Sequence, residues 1–108
     1  MKSKIETYLG FCVRARKIVF GVDEITKQKK SFLLLVDDTL GESSLKEMQK
    51  AWERLRCSMF VVQDGGLGKL LHREGVKAVS IKDQNLASAI LSVVESESQF
   101  KLYSGGTK

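Results

Sequence analysis

The chain contains no proline, a single histidine, a single tryptophan and two cysteines among its 108 residues. The missing proline is compatible with compact alternating elements and decides nothing further. His72, the only histidine, has no partner at a spacing that suggests a catalytic triad. Cys12 and Cys57 stand among apolar neighbours, each remote from a second thiol, which argues against a disulfide framework and for a reducing, cytoplasmic setting. The longest apolar run, residues 32–36, is too short to cross a bilayer. Met1-Lys2-Ser3-Lys4-Ile5-Glu6 lacks the apolar core of a signal peptide, so no membrane partner is expected. At this length one core suffices; residues 1–95 are expected to form a single α/β domain and 96–108, rich in Ser, Gln, Gly and Lys, a flexible tail.

What is present is basic charge, unevenly placed. Net charge is +5. Through Lys30 there are eight bases (Lys2, Lys4, Arg14, Arg16, Lys17, Lys27, Lys29, Lys30) against Glu6, Asp23 and Glu24, and beyond it ten bases balance ten acids. The whole excess therefore belongs to the first two elements and the turn between them. If those elements adjoin, they make one positive face, as a protein contacting a phosphate backbone needs. An acidic protein partner would be satisfied by the same face.

Apolar spacing organises the rest. Ile5, Tyr8, Leu9, Cys12 and Val13 recur at three and four, one face of a helix over 3–16, with Cys12 as a buried thiol on that stripe. Ile18-Val19-Phe20 reads as a short strand. In Phe20-Gly21-Val22-Asp23-Glu24-Ile25-Thr26-Lys27-Gln28-Lys29-Lys30 a glycine turn leads to two acids and then three lysines, the charge order that suits a short helix. A solvated helix with such ends needs no partner, so this stretch alone does not decide for a function. Residues 32–36 form a continuous apolar run, suited to a strand covered on both faces. Ser44 and Glu47 have the form of a capping box ahead of a helix bearing Leu45, Met48, Trp52 and Leu55, where the tryptophan reads as a core anchor rather than a base-stacking platform. Residues 57–62 and 78–81 are further strands, with a helix through His72 between them that Gly75 ends. Asp83 caps a last helix with Leu86, Ala87, Ile90, Leu91, Val93 and Val94 on its apolar face. Helices alternating with strands imply a three-layer α/β/α sandwich around a mixed sheet of about four strands.

Enzyme readings fail on the residues. Asp37, Asp38 and Asp64 at strand ends could hold a magnesium ion, but acids at helix starts are common as caps, and no metal or other cofactor is expected. Gly65-Gly66-Leu67-Gly68-Lys69 is not a Walker loop, since Gln63 stands where its first glycine belongs and Leu70 where Ser or Thr must follow the lysine; Leu71 also breaks a dinucleotide fingerprint. A glycine-rich helix start could still offer free N–H groups to one RNA phosphate, with Lys69 beside it. No small-molecule substrate is indicated.

Two blocks resemble the kink-turn-binding ribosomal proteins. Gly21-Val22-Asp23-Glu24-Ile25-Thr26-Lys27 is similar to that family's Gly-x-Asn-Glu-x-Thr-Lys signature, and Leu67-Gly68-Lys69 with Val76-Lys77-Ala78-Val79-Ser80-Ile81-Lys82-Asp83 resembles its Leu-Gly helix, variable loop and final strand. The likeness covers roughly residues 3–94 and is nearest to the small bacterial YlxQ-type branch. It implies a non-enzymatic protein bound to ribosomal or other structured RNA, with the ribosome as a candidate partner. Members rest the start of the second helix in the widened groove of an RNA kink-turn. By position, Gly21 would allow close backbone approach, Glu24 would accept from guanine, and Lys27 would contact guanine or phosphate. The loop of Arg73 and Lys77 would pack beside a flipped-out base with Val76 as the apolar contact. Arg14, Arg16, Lys17, Lys29 and Lys30 would meet phosphates.

Asp23 departs from the pattern. A carboxylate only accepts hydrogen bonds where the family's asparagine amide also donates, so a guanine oxygen would go unpaired at about 1–3 kcal/mol. Glu74 adds a second like charge. These two acids motivate an alternative, a protein-interaction module that keeps the scaffold with weak or no kink-turn specificity.

Overall fold

The computed structural model describes residues 4–103. Along the chain these form α1 (Lys4–Arg14), β1 (Ile18–Phe20), α2 (Val22–Ile25), β2 (Leu33–Asp37), α3 (Glu42–Leu55), β3 (Ser58–Val62), α4 (Gly66–Leu71), β4 (Ala78–Ile81), α5 (Gln84–Val94) and β5 (Phe100–Leu102). The strands make one mixed sheet in the order β1-β4-β2-β3-β5. The pair β2–β3 is parallel, while β1–β4, β2–β4 and β3–β5 are antiparallel.

The apolar run that suggested a doubly covered strand is β2, at the centre of the sheet, and all five of its residues are buried. Its side chains alternate between two cores, as the strand period of two requires. Leu33 and Leu35, with Phe60, Val62, Val79 and Ile81, face Ile5, Leu9 and Cys12 of α1, Leu67 and Leu71 of α4, and Ala87, Ile90 and Val94 of α5. Leu34 and Val36, with Met59 and Ala78, face Ile25 of α2 and Met48, Ala51 and Leu55 of α3. The molecule is thus the expected α/β/α sandwich. Asp83 caps α5 as expected, its Oδ1 accepting from the Leu86 amide at 2.9 Å. Among the described residues, no helix is long and apolar enough to cross a membrane.

Three expectations change. The sheet has five strands rather than four, because the tail expected from residue 96 onward folds back as β5, pairing Phe100 with Val62 and Leu102 with Phe60. Phe100 is buried, and Tyr103, just past the strand, sets its ring edge-on to Trp52 at 5.0 Å. Trp52 accordingly packs with the core, as expected. Residues 104–108 lie outside the described residues. The capping box is also displaced: α3 starts at Glu42 with Gly41 at its N-cap, so Ser44 and Glu47 lie inside the helix. Finally, the helix expected to reach Lys30 stops after four residues. Only Ile25 on this segment is buried, so tertiary packing supports one turn. Thr26 then donates its hydroxyl back to the Asp23 carbonyl at 2.9 Å, the side-chain competition that ends helices.

The fifth strand has a measurable consequence. Phe100→Ala should lower unfolding free energy in urea by about 3 kcal/mol, as for a buried core phenylalanine; a loss below about 1 kcal/mol, the size of a change at an exposed position, would show that β5 contributes no core.

Candidate nucleic-acid interface

At one end of the sheet β1, β2 and β3 finish and β4 begins. The Gly21 amide donates to the Ala78 carbonyl at 3.0 Å, and the Asp37 amide donates to the Lys77 carbonyl at 2.8 Å. These two bonds set the first motif block, around Gly21, beside the second, around Lys77, although more than fifty residues separate them in sequence. Gly21 has φ +92° and ψ 143°, a conformation essentially confined to glycine, and a Cβ built there meets nothing within 4 Å. Its requirement is therefore conformational, and the space above it is open.

Gly21 turns the chain so that Asp23 and Glu24 stand exposed on α2. Glu24 pairs with Lys27 at 3.6 Å, both side chains more than 60% exposed (64% and 73%). Such a pair is worth under about 1 kcal/mol, so exchanging it for RNA partners costs little. The far end of α2 is held from outside. Arg54 of α3 donates from Nη2 to the Thr26 carbonyl at 2.8 Å and from Nη1 to the Gln28 carbonyl. The carbonyls of α2 itself are met by Thr26, Lys27 and Gln28, and the guanidinium of a neighbouring helix holds the carbonyls of the C-cap residue and of the turn beyond it.

Beside this corner lies the turn from α4 into β4. His72 and Gly75 both take positive φ, and the Arg73 amide returns to the Gly68 carbonyl at 3.0 Å. A Cβ on Gly68 would lie 2.9 Å from the Arg73 carbonyl oxygen, so this glycine serves the close approach of the turn. The Arg73 guanidinium then lies over the Phe20 ring, 4.6 Å from its centroid, joining the loop to the residue before Gly21. Behind the loop opens a cleft of about 620 Å³, bordered by Thr39, Lys69, Arg73, Val76 and Lys77 and floored by buried Asp37. That volume lies in the range of about 300–1,000 Å³ that takes small ligands.

Two of the three aspartates have structural partners. Asp37 accepts from the Leu67 amide at 2.9 Å and from Thr39, and Asp38 accepts from the amides of Asp64 and Gly65 at 2.9 and 3.0 Å. No group of acids, histidine or cysteine suited to a metal ion occurs among the described residues. The same bonds correct the idea of a phosphate on the glycine-rich turn: the amides of Gly65 and Leu67 serve the protein's own carboxylates, and that of Gly66 bonds the Gln63 carbonyl. Neither thiol is poised for chemistry. Burial pushes Cys12 up to about 11 and raises Cys57 as well. His72 is occupied with Glu6 at 2.6 Å.

The structure gathers Gly21, Asp23, Glu24, Lys27, Lys69, Arg73, Val76 and Lys77 around one end of the sheet. It does not gather the other basic residues there, and the single positive face expected from the sequence is split. Lys17 precedes β1 and its carbonyl accepts from the Lys82 amide at 2.7 Å, at the opposite end of the sheet. Lys30 sits over the Phe32 ring at 5.2 Å, at that same far end, with Arg16 beside Lys17. Arg14 folds over Phe11 at 5.0 Å and borders a groove between α1 and α4. Four cations (Lys27, Lys69, Arg73, Lys77) and three anions (Asp23, Glu24, Glu74) share the candidate site, which is close to neutral. Sequence reasoning did not find Phe20 or Arg54; an arginine in the last turn of a long helix carries no mark that it caps another.

No protein-family model and no curated protein matches the chain. Among solved structures it is similar to a protein of unknown function from Bacillus halodurans C, with a TM-score of 0.76 and 17% identity over 87% of this chain and 99% of that one. This likeness concerns the fold alone.

The Arg54 clamp can be tested apart from any ligand. Arg54→Ala should speed hydrogen exchange in the 25–30 segment and lower stability by about 1–2 kcal/mol, the size of charge-assisted hydrogen bonds. Unchanged exchange there would mean that α2 holds its own end.

Proposed function

We propose that this protein is a non-enzymatic, cytoplasmic RNA-binding protein of the kink-turn-binding ribosomal type, acting on ribosomal or structured non-coding RNA. The observation that carries the reading is the juxtaposition of the two resembling blocks: the Gly21–Glu24 corner adjoins the Arg73–Lys77 loop at one end of the sheet, and that loop borders an open cleft. In this reading the exposed corner enters a widened groove, with Glu24 accepting from guanine and Lys27 released to a guanine or a phosphate. Half-buried Val76 then offers apolar contact to a base extruded from the stack. Lys69, Arg73 and Lys77 contact the phosphates around it, positioning the RNA without reading sequence.

Asp23 sets the expected strength. Exposed on the outer side of the corner, it can accept but not donate, and with Glu24 and Glu74 it leaves the site little net positive charge. Kink-turn binding is accordingly modest. The same near-neutrality favours the second reading, an assembly module that docks a protein at this corner.

Binding to a kink-turn RNA should weaken as salt rises, and Asp23→Asn should tighten it by about tenfold to a hundredfold, the equivalent of recovering about 1–3 kcal/mol. An Asp23→Asn variant with unchanged affinity would remove the guanine-reading role of the corner, and a protein partner displaced by the same substitution would favour the module.

A further inference from the structure

The basic residues excluded from the candidate site form a cluster of their own. Lys17 and Lys82 follow the paired residues Ile18 and Ile81 outward, and the Lys82 amide to Lys17 carbonyl bond of 2.7 Å extends that ladder by one step. On the other side of β4, Phe32 donates its amide to the Ile81 carbonyl at 3.0 Å and carries Lys30 over its ring. Arg16 completes the group from a left-handed turn, φ 58°, fixed by its amide on the Val13 carbonyl at 3.2 Å and by the Lys17 amide on the Cys12 carbonyl at 2.9 Å.

All four cations are exposed, and among the described residues none makes an ion pair. The neighbouring acid, Asp83, is half-buried and occupied in capping α5. Four like charges fixed on hydrogen-bonded backbone and left unneutralised make a surface of strong positive potential, unlike the nearly neutral site at the opposite end. Lys77 and Lys82 mark the two ends of β4, five residues and about 16 Å apart in extended chain. The two basic groups flank opposite ends of the sheet, so a straight RNA segment seated on one runs away from the other.

We propose that this second pole binds the phosphate backbone of a separate RNA segment, so that the protein bridges two RNA elements. This rests on the RNA-binding reading above. The chemistry favours phosphates over bases, because the cluster is built from lysine and arginine and its one aromatic, Phe32, is partly buried beneath Lys30. It favours RNA over a lipid surface because neither of the exposed large apolar side chains, Phe11 and Leu102, belongs to the cluster.

The test uses an immobilised kink-turn hairpin, a labelled unkinked RNA duplex in solution, and a Lys17→Gln/Lys30→Gln/Lys82→Gln variant. The substituted side chains are exposed, so the melting temperature should stay close to wild type. Wild-type protein held on the hairpin should capture the duplex. The variant should keep hairpin affinity within about threefold, lose duplex capture at least tenfold, and lower the salt slope for duplex binding by about two to three, near one unit per lost phosphate contact. Equal capture by the variant would overturn the proposal, as would a parallel loss of hairpin affinity, which would make the two poles one site. Loss of binding to phosphatidylserine vesicles with duplex capture intact would assign the pole to a lipid surface and equally overturn it. Hairpin affinity is measured first: a wild type that does not prefer the hairpin sinks the kink-turn reading, whereas duplex binding, measured directly, reads this pole on its own.

Discussion

The burial of β2 on both faces is the constraint from which the rest of the arrangement follows. A strand with Leu33, Leu34, Leu35 and Val36 all sealed from water must have helices on either side. Its antiparallel partner β4 then starts where β2 ends, which sets Lys77 against Asp37 and, one strand further, Ala78 against Gly21. The buried Asp37 carboxylate fastens the start of α4 through the Leu67 amide. The candidate cleft is what remains at that end of the sheet once these attachments are made. The α2 corner and the α4–β4 loop that meet there are short and irregular, but each is tied to the rigid centre by backbone bonds or by one arginine: Arg54 behind α2 and Arg73 over Phe20.

Charge is distributed against the simplest electrostatic picture. The surplus of the first thirty residues does not converge on the end of the sheet where the motif residues meet; much of it gathers at the other. At the motif end acids and bases nearly cancel, so recognition there would depend on shape, the apolar contact of Val76 and hydrogen bonds of Glu24 and Asp23. At the far pole Arg16, Lys17, Lys30 and Lys82 make no ion pair among the described residues and would act through field strength. A protein with one discriminating and one sequence-blind surface is suited to holding two structured segments in a fixed relation.

Much of this was legible in the sequence because it rests on periodicity. The two cores follow from apolar residues at spacings of two and of three to four, and the α5 cap follows from Asp83. What escaped depends on distant partners. β5 has one buried anchor, Phe100, within a polar composition that reads as tail. The early end of α2 depends on which residues find tertiary cover, and beyond Val22 only Ile25 is buried. The sorting of cations into two poles depends on strand order, which places β4 between β1 and β2 and carries Lys82 to Lys17; local patterns hold no record of it. The glycines Gly65 and Gly66 suggested a bound phosphate, whereas the carboxylates that occupy the amides around them come from the end of β2 and the residue after it, nearly thirty residues earlier.

The central claim is that RNA is read at the Gly21 corner and the Arg73–Lys77 loop. Amide chemical-shift mapping on the labelled protein during titration with a kink-turn RNA tests it most directly. The account predicts that the largest perturbations fall on residues 21–27 and 69–77, with those at residues 16, 17, 30 and 82 following only as a second RNA equivalent is added. Perturbations that begin at the far pole and leave Gly21 through Lys27 unchanged would contradict it.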